Sequence, residues 1–275
     1  MRNQSIKKFD LTGKTAIVTG GAGILGRGYA RTLKENGANV IILDIDKLLI
    51  EKANLYFQED LNIKNIDIFL CNVSQETEIK KVLEKILKKY KAVDILINNA
   101  ATKTDNLDNF FDAFENYKLS TWNDVMSGNL NSMFLMNKII GKQMVDNKIK
   151  GSIVQVSSIY GLVGPDQRIY EGSIYENRKI NTPAVYSVSK AAVIGFSKYL
   201  ATYWGKFGIR VNSITPGGVE SGQNDEFKQK YSKRVPLNRM GKSDEMENII
   251  LYLSSDASSY VTGQNFIIDG GLSCW

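Results

Sequence analysis

Seven short, almost wholly apolar runs, separated by longer helical patterns, constrain the fold of this chain more than any other feature. The apolar runs lie at residues 15–19, 39–44, 66–70, 93–98, 152–157, 209–214 and 265–268. Helical spacing of apolar residues occurs near residues 24–36, 47–60, 76–90, 121–146, 186–205 and 243–254. Strands that are apolar along their whole length are buried on both faces, as in a parallel sheet covered by helices. The sequence therefore predicts one doubly wound α/β domain over residues 1–275, with a seven-stranded, mostly parallel sheet.

The composition excludes several classes of protein and of site. Hydrophobic residues make up 43% of the 275 residues, which is too many for a disordered chain. The chain has no histidine, so neither a Ser-His-Asp triad nor a histidine metal site is possible. Its two cysteines, Cys71 and Cys274, are too few for a disulfide framework or a four-thiolate zinc site. We therefore expect no metal, and acid–base chemistry must use Tyr, Lys, Asp, Glu or Cys.

The net charge of +6 raises the question of a nucleic-acid or membrane partner. The densest lysines alternate with apolar residues at helical spacing, which indicates the solvated face of one helix: Lys80, Lys81, Lys85, Lys88, Lys89 and Lys91. The chain carries no nucleic-acid recognition motif, so we expect no nucleic-acid partner. No apolar run approaches ~18 residues, and the polar N-terminus does not resemble a signal peptide. We expect a cytoplasmic protein with no membrane partner.

A glycine-rich turn follows the first predicted strand. Gly21, Gly23 and Gly26 fit the G-x-G-x-x-G spacing between a strand and a helix, which lets the backbone approach a pyrophosphate. Asp44 ends the second strand, where a carboxylate can accept hydrogen bonds from a ribose and repel a 2′-phosphate. Ile45, not an arginine, follows it. The pattern favours NAD over NADP, with a plain glycine turn and a helix cap at Asp44 as the alternatives.

Tyr186 and Lys190 are four residues apart at the start of a predicted helix, and therefore share one helix face. An ammonium ~5 Å from a phenol, at an effective dielectric constant of ~20, lowers the phenol pKa by about two units. That shift would bring the Tyr186 hydroxyl towards the range of efficient proton transfer. The alternative is an ordinary surface pair of a tyrosine and a lysine.

The order of these motifs resembles the short-chain dehydrogenase/reductase family. The resemblance covers about residues 9–271 and rests on the glycine loop, Asn98-Asn99-Ala100, a serine after strand five, Tyr-x-x-x-Lys and Pro216-Gly217. It implies a Rossmann-like fold with helices on both faces of the sheet. Residues 159–172, IYGLVGPDQRIYEG, most resemble the oxidoreductases of bacterial surface-sugar and flagellin-modification pathways.

The resemblance also implies the roles of individual residues. Ser158 would hold the substrate oxygen, Tyr186 would exchange its proton, Lys190 would hold the nicotinamide ribose, and Asn129 would hold a water that links Lys190 to solvent. Asn72 and Val73 would contact adenine. Val219 and Ser221 would hold the carboxamide of the nicotinamide. The full set implied for cofactor binding is Gly20, Gly23, Leu25, Gly26, Asp44, Asn72, Val73, Asn99, Ala100, Tyr186, Lys190, Pro216, Gly217, Val219 and Ser221. The alternatives are a strand-end cap for Ser158, a packing role for Asn129 and a simple loop position for Ser221.

The chain departs from the family pattern mainly between Ser158 and Tyr186, which are 28 residues apart, about twice the usual separation. The extra residues fall in the segment 162–184, which we predict to be an inserted substrate loop. We also predict that residues 217–242 form a substrate lid. The insertion carries Arg168, Arg178 and Lys179, which suit a sugar, sugar phosphate or nucleotide sugar. Ile24 and Ala101 stand where the family has glycines, and Asn72 where it has an aspartate.

The sequence therefore predicts an enzyme that interconverts a secondary alcohol and a ketone with NAD(P), acting on a small sugar-type molecule in surface-glycan biosynthesis. The alternative is an inactive dinucleotide-binding protein with a regulatory or structural role. A stripe of small residues on the Tyr186 helix, Ala191, Ala192 and Gly195, lets another helix approach closely, and the family pairs such helices between subunits. We therefore expect a homodimer or a homotetramer.

Overall fold

A computed structural model describes residues 6–61, 63–104 and 106–275. The first five residues of the predicted domain, together with Asn62 and Asp105, lie outside the described residues.

Seven parallel strands form the central sheet. Their order across the sheet is β3-β2-β1-β4-β5-β8-β9, and every neighbouring pair runs parallel. The strands are β1 (Thr15–Thr19), β2 (Asn39–Asp44), β3 (Ile66–Leu70), β4 (Ile95–Asn98), β5 (Ser152–Val156), β8 (Arg210–Pro216) and β9 (Asn265–Ile268). This arrangement confirms the predicted doubly wound, Rossmann-like α/β fold. The order of the strands reverses between β1 and β4, which is where such sheets leave a crevice for ligands.

Helices cover both faces of the sheet. They are α1 (Ile24–Glu35), α2 (Lys47–Leu55), α3 (Glu76–Tyr90), α4 (Leu107–Phe110), α5 (Leu119–Met126), α6 (Ser132–Asp146), α7 (Ala184–Trp204), α8 (Asp225–Ser232) and α9 (Glu247–Ser254). A π-helical turn, Ser127–Asn131, joins α5 to α6, so the predicted helix near 121–146 is interrupted once. The predicted lysine face of α3 is solvent-exposed, as expected.

Alternate residues of each central strand enter two different cores. In β2, Val40 and Ile42 pack with α1 and α9, whereas Ile41 and Leu43 pack with α3, α6 and α7. All four side chains are at most 1% exposed. Burial on both faces explains why the strands read as continuous apolar runs rather than as alternating ones.

The inserted segment contains structure that the sequence did not predict. Two short antiparallel strands, β6 (Ile174–Tyr175) and β7 (Arg178–Lys179), form a hairpin within residues 162–184. The two residues between them, Glu176 and Asn177, both have positive φ, at 48° and 60°. This is the turn geometry that matches the twist of a two-residue hairpin, here without a glycine to indicate it.

Two negative observations concern the described residues alone. No helix in these ranges combines the length and the hydropathy needed to cross a membrane. Within the same ranges, no three His, Cys, Asp or Glu side chains come together as a metal site would require.

Candidate active site

The predicted site residues converge at the carboxyl edge of the sheet, around two adjoining cavities. The glycine-loop cavity, of about 790 Å³, lies beside the loop between β1 and α1. The tyrosine cavity, of about 520 Å³, contains Ser158 and Tyr186 in its wall. Ile24, Lys103 and Ser221 line both cavities, so the two spaces meet at these side chains.

Packing within the protein explains three of the four loop glycines, but not Gly23. A Cβ on Gly26 would lie 2.3 Å from the carbonyl oxygen of Gly20, and one on Gly21 would lie 2.8 Å from Cγ2 of Ile42. Gly20 has a positive φ of 59°, and its Cβ would meet the Ala100 backbone at 2.9 Å. A Cβ on Gly23 would make only an ordinary contact, at 3.4 Å. Gly23 therefore borders a space that the described part of the chain leaves open, beside the uncapped first turn of α1.

The loop after β4 holds the glycine loop in place. The side-chain amide of Asn99 donates to the carbonyl oxygens of Thr19, at 3.2 Å, and Gly20, at 3.0 Å. In return, the Thr19 hydroxyl accepts from the backbone N–H groups of Asn99, at 3.0 Å, and Ala100, at 3.1 Å. These bonds cross the point where the strand order reverses, and they fix the two loops relative to each other.

Asp44 is a buried carboxylate at the end of β2 and lines the glycine-loop cavity. Its Oδ2 accepts from the Ala22 amide at 3.1 Å, and its Oδ1 accepts from the Asp46 amide at 3.1 Å. Asp46, not Asp44, caps α2, because its side chain accepts from the Leu48 and Leu49 amides. The alternative interpretation of Asp44 as a helix cap is therefore wrong.

At the far end of the same cavity lie Asn72 and Val73. The side-chain Oδ1 of Asn72 accepts from the Ser74 backbone N–H at 2.9 Å. The backbone N–H of Asn72 donates to Glu78 Oε2 at 2.8 Å. An amide oxygen has two lone pairs, so one bond to Ser74 leaves it able to accept another.

Ser158 and Tyr186 meet despite the 28 residues that separate them. The turn after Ser158 packs directly on α7, where a Cβ on Gly161 would lie 2.5 Å from the Lys190 carbonyl carbon. Gly161 therefore allows the close approach that brings Ser158 to Tyr186. The Ser158 hydroxyl also accepts from the Tyr160 amide at 3.3 Å. Ser158 thus caps its own turn, as the alternative interpretation expected, while facing the tyrosine cavity.

The electrostatic environment of Tyr186 differs from the prediction. Burial raises the pKa of the Tyr186 hydroxyl above its usual value, and a hydrogen bond with Ser158 partly opposes this rise. The Lys190 ammonium donates to the Val156 carbonyl at 3.0 Å and lies 5.9 Å from the centroid of the Tyr186 ring. Burial lowers the pKa of Lys190 to about 8. The predicted lowering of the Tyr186 pKa by Lys190 is therefore wrong for the protein alone, because the ammonium is directed to a backbone oxygen.

Asn129 is fully buried in the π-helical turn between α5 and α6. Its Oδ1 accepts from the Thr102 amide at 2.7 Å, and its Nδ2 donates to the Ser189 hydroxyl at 3.2 Å. The Ser189 hydroxyl donates in turn to the Tyr186 carbonyl at 2.8 Å. Asn129 thus links the loop after β4 to the helix that carries Tyr186. Its predicted role in holding a water stays a prediction.

The loop after β8 closes one side of both cavities. Gly217 packs so closely on β9 that its Cβ would meet the Asp269 Cα at 2.8 Å. The Gly218 amide donates to the Tyr231 hydroxyl. Ser221 is exposed, and its hydroxyl accepts from the Gln223 side chain at 2.9 Å.

The cavities divide the predicted cofactor residues into two groups. Those that line the glycine-loop cavity are Gly20, Gly23, Leu25, Gly26, Asp44, Asn72, Val73, Asn99, Ala100, Val219 and Ser221. Of the remaining four, Tyr186 and Gly217 line the tyrosine cavity, whereas Lys190 and Pro216 do not contribute to either wall.

The charged residues of the insertion do not face the tyrosine cavity, contrary to expectation. Arg168 pairs with Asp166 at 2.8 Å and leaves 83% of its side chain exposed. Arg178 pairs with Asp108 at 2.5 Å. Lys179 lines a neighbouring outer cavity of about 990 Å³, which shares wall residues such as Tyr170 and Asn181 with the tyrosine cavity. The insertion instead presents aromatic and neutral polar side chains to the tyrosine cavity, among them Tyr170, Ser173, Asn181 and Thr182.

One residue of this site was missed by the sequence analysis. Lys103 follows Asn98-Asn99-Ala100 by three residues and is the only charged residue that the described chain contributes to the wall of the tyrosine cavity. Its place directly after that motif, on the carboxyl edge of β4, was the signal that could have identified it.

Comparisons with known proteins agree with this geometry. Residues 20–273 match a family model described as enoyl-(acyl carrier protein) reductase. The 3-oxoacyl-[acyl-carrier-protein] reductase FabG of Thermotoga maritima is 34% identical over 268 residues, covering 95% of this chain and 98% of that protein. A short-chain dehydrogenase from Leptospira borgpetersenii, solved with bound NAD⁺, is 33% identical with a TM-score of 0.84, covering 99% of this chain and 96% of that one. A putative gluconate dehydrogenase from Agrobacterium tumefaciens is 28% identical with a TM-score of 0.83, covering 97% and 98%.

Proposed function

The chain belongs to the short-chain dehydrogenase/reductase family, and from this membership we propose that it oxidises a secondary alcohol, or reduces the matching ketone, on a polar sugar-type molecule with NAD. As a family member it is an oxidoreductase that acts on CH–OH groups with a dinucleotide cofactor. The choice of NAD, the substrate and the roles of the site residues are parts of the proposal.

One observation carries the proposal: the Tyr186 phenol and the Ser158 hydroxyl stand together in the wall of a cavity that adjoins the glycine loop. A bound dinucleotide would supply the hydride acceptor or donor. Ser158 would hold the substrate oxygen by a hydrogen bond, and the Tyr186 hydroxyl would take up or return its proton. The residues present fit this cofactor, because Gly23 keeps a space open at the start of α1 and Asp44 presents a carboxylate to the same cavity.

Lys190 supports this proton transfer through its charge. Its pKa of about 8 leaves it mostly protonated at neutral pH, and its ammonium is close to the Tyr186 ring. A nearby positive charge favours the ionised form of a phenol. We propose that Lys190 turns from the Val156 carbonyl towards Tyr186 and the ribose when the cofactor binds, which would lower the Tyr186 pKa only in the complex.

The preference for NAD rests on Asp44, whose negative charge would repel the 2′-phosphate of NADP. We expect Asp44→Asn to lower the ratio of kcat/KM with NAD to that with NADP by about tenfold, which corresponds to ~1.4 kcal/mol of repulsion between the Asp44 carboxylate and the 2′-phosphate. Asp46→Asn is the matched control, because it removes the neighbouring charge while an asparagine can still cap α2. An unchanged ratio in Asp44→Asn would contradict this part of the proposal.

Neutral hydrogen-bonding groups and aromatic rings around the tyrosine cavity support a sugar-type substrate. Hydroxyl and amide side chains stand beside aromatic ones in its wall, including Tyr160, Asn181, Gln223 and Phe227. Such groups suit a ligand with many hydroxyls on an apolar carbon frame. The putative gluconate dehydrogenase among the similar structures supports the same class. Residues 162–184 and 217–242 would cover this substrate, and the resemblance of residues 159–172 favours a place in surface-glycan biosynthesis.

The FabG relatives favour a second candidate, the reduction of a 3-oxoacyl thioester. Steady-state turnover of the purified protein separates the two. The panel would contain polyols, sugar acids, sugar phosphates and nucleotide sugars, with acetoacetyl-thioesters as the comparison, each assayed with both nicotinamide cofactors. Turnover confined to thioesters would contradict the sugar proposal. Tight NADH binding without turnover of any compound would favour the inactive, regulatory alternative.

The assembly into a homodimer or homotetramer also stays a proposal. Gly195 on α7 faces open space, because a Cβ there would meet nothing within 4 Å, and Val188 and Tyr199 on the same helix are exposed. This leaves a surface that a second copy of the helix can approach. Light scattering on the purified protein measures the state directly, and a monomer at micromolar concentration would contradict it.

A further inference from the structure

The tyrosine cavity is lined by neutral groups apart from one residue. Its wall in the described chain contains hydroxyls, amides, aromatic rings and aliphatic side chains, and the charge comes from Lys103 alone. Lys103 also lines the glycine-loop cavity, so its side chain lies where the two spaces meet. A single cation at the rim of a neutral cavity attracts anions in preference to neutral molecules of the same shape.

The backbone that carries Lys103 is held firmly by the residues around Asn129. The Thr102 amide donates to Asn129 Oδ1 at 2.7 Å, and the Thr104 amide donates to the Thr102 hydroxyl at 3.1 Å. Thr102 also packs against the π-helical turn, where a Cβ on Gly128 would lie 2.2 Å from the Thr102 Cγ2. The backbone of Lys103 is therefore fixed relative to Tyr186. A side chain that positions a substrate requires such a fixed backbone.

We propose that Lys103 determines substrate specificity by binding an anionic group, a carboxylate or a phosphate, on the sugar-type molecule that reacts at Tyr186. This inference rests on the proposed function and deepens it. It replaces Arg168 and Arg178 as the anion-binding groups, since Lys103 lines the tyrosine cavity and neither arginine does.

Glu176 at the tip of the inserted hairpin is the natural competitor for this anion. Desolvation lowers the pKa of Lys103, and the nearby charge of Glu176 opposes that lowering. Glu176 is itself 3.9 Å from Arg178 and 58% exposed. An anionic substrate at Lys103 would therefore lie near the partly solvated carboxylate of Glu176, and removal of that carboxylate would strengthen substrate binding.

The test uses two probes of matched shape, D-gluconate and D-glucitol, which differ by a carboxylate in place of a hydroxymethyl group. D-Glucitol 6-phosphate distinguishes a phosphate from a carboxylate. For NAD-dependent oxidation by the wild-type enzyme, we expect kcat/KM to favour an anionic probe over D-glucitol by about tenfold or more, the size of a charge-assisted hydrogen bond. The probe that gains more identifies the anionic group.

Four variants assign this preference to one side chain. Lys103→Met should reduce the preference for the anionic probe to within about twofold, mainly through a change in KM. Lys103→Arg should retain most of the preference, and Glu176→Gln should increase it. Lys85→Met removes an equal charge from the exposed face of α3 and should leave the preference unchanged. A preference that survives Lys103→Met would overturn the inference. So would an equal loss with both probes together with a raised KM for NAD, because Lys103 would then act on the cofactor.

If no probe is oxidised, the proposed function fails for this substrate class, and binding then decides the inference separately. Calorimetric titration of D-gluconate and D-glucitol into the NADH-loaded wild-type protein and into Lys103→Met measures the same preference without turnover. Selective binding of D-gluconate that disappears in Lys103→Met would support the inference. Equal or absent binding in the wild-type protein would overturn it.

Discussion

The two halves of the site are held in place by different kinds of interaction. On the cofactor side, loops that directly follow β1, β2 and β4 are joined by short bonds to the backbone, such as those of Asn99 to Thr19 and Gly20. On the substrate side, the insertion is attached by side chains, such as Arg178 to Asp108 at 2.5 Å and Lys230 to the Glu171 carbonyl at 2.6 Å. Backbone register therefore fixes the first half, whereas side-chain contacts between distant segments fix the second.

This difference has consequences for stability and for adaptation. Exposed ion pairs contribute about 0–1 kcal/mol each, so the hairpin of the insertion is held by weak, separable interactions, whereas Ile169 before it is buried with Phe227 and Tyr231. The glycine loop is held by close backbone packing that tolerates no added atom at Gly26 or Gly21. Substitutions on the cofactor side should therefore affect folding and every substrate alike, whereas those on the substrate side should affect particular substrates.

The largest expected effect is that of Tyr186→Phe, which removes the proton donor and leaves the rest of the ring. We expect kcat to fall by about 10²- to 10⁴-fold, the usual contribution of general acid–base catalysis, with little change in NADH binding. Fluorescence titration of NADH beside steady-state kinetics measures both. Undiminished turnover by Tyr186→Phe would contradict the assignment of Tyr186 as the group that exchanges a proton with the substrate.

The glycine loop offers a pair of variants that separates folding from cofactor binding. Gly26→Ala would place a methyl group 2.3 Å from the Gly20 carbonyl oxygen, so we expect it to lower the free energy of unfolding by about 3 kcal/mol, the upper range for overpacking. Gly23→Ala should cost about 1 kcal/mol or less but weaken NAD binding markedly, because the methyl group enters the open cavity.

Urea denaturation and calorimetric titration of NAD measure these two quantities. If Gly23→Ala binds NAD as tightly as the wild-type protein, the space beside Gly23 does not hold the pyrophosphate.

Lys190 makes the free energy of unfolding depend on pH, and a variant without this lysine can measure its contribution. Its pKa is about 8 in the folded protein and near 10.5 when unfolded, so between these values the unfolded chain binds the extra proton. Stability therefore rises with pH through this window, by about 2 kcal/mol between pH 7 and pH 9.5. We expect the rise to be absent in Lys190→Met, because the variant has no proton to release.

The comparison is the difference between the two denaturation curves at each pH, which removes the titration of other groups. A difference that stays constant from pH 7 to pH 9.5 would show that Lys190 is not desolvated.

The smallest expected effect is that of Arg178→Gln, which releases the hairpin from Asp108. We expect the free energy of unfolding to change by less than about 1 kcal/mol and the KM for NAD to stay the same, while the KM for the substrate rises a few-fold. Steady-state kinetics with each reactant varied in turn measures the split. An equal effect on both KM values would contradict the separation of the two halves.

The fold and the placement of residues around the glycine-loop cavity could be predicted because their signals are local in the sequence. Apolar runs of strand length, a glycine spacing directly after a strand, and Asp44 at a strand end each report their own surroundings. Four strands have the predicted limits: Thr15–Thr19, Asn39–Asp44, Ile66–Leu70 and Asn265–Ile268. Since all the strands run parallel, residues that follow them necessarily meet at one edge.

The substrate side could not be predicted in the same way. The charges of Arg168 and Arg178 are plain in the sequence, but their partners Asp166 and Asp108 turn them away from the tyrosine cavity. The predicted lowering of the Tyr186 pKa by Lys190 was also wrong for the protein alone. The spacing of four residues places Lys190 on the same helix face as Tyr186, but it does not fix which group the Lys190 ammonium donates to.

The sequence by itself determined the parallel sheet, the glycine loop and the residues that stand at its carboxyl edge, because hydrophobic periodicity and glycine sterics act over a few neighbouring residues. Only the tertiary structure decided which charged groups of the described chain face the tyrosine cavity: Lys103 does, and the arginines of the insertion do not. The physical reason is that the direction of a long charged side chain depends on its partners. Those partners can lie 70 residues away, as Asp108 does from Arg178.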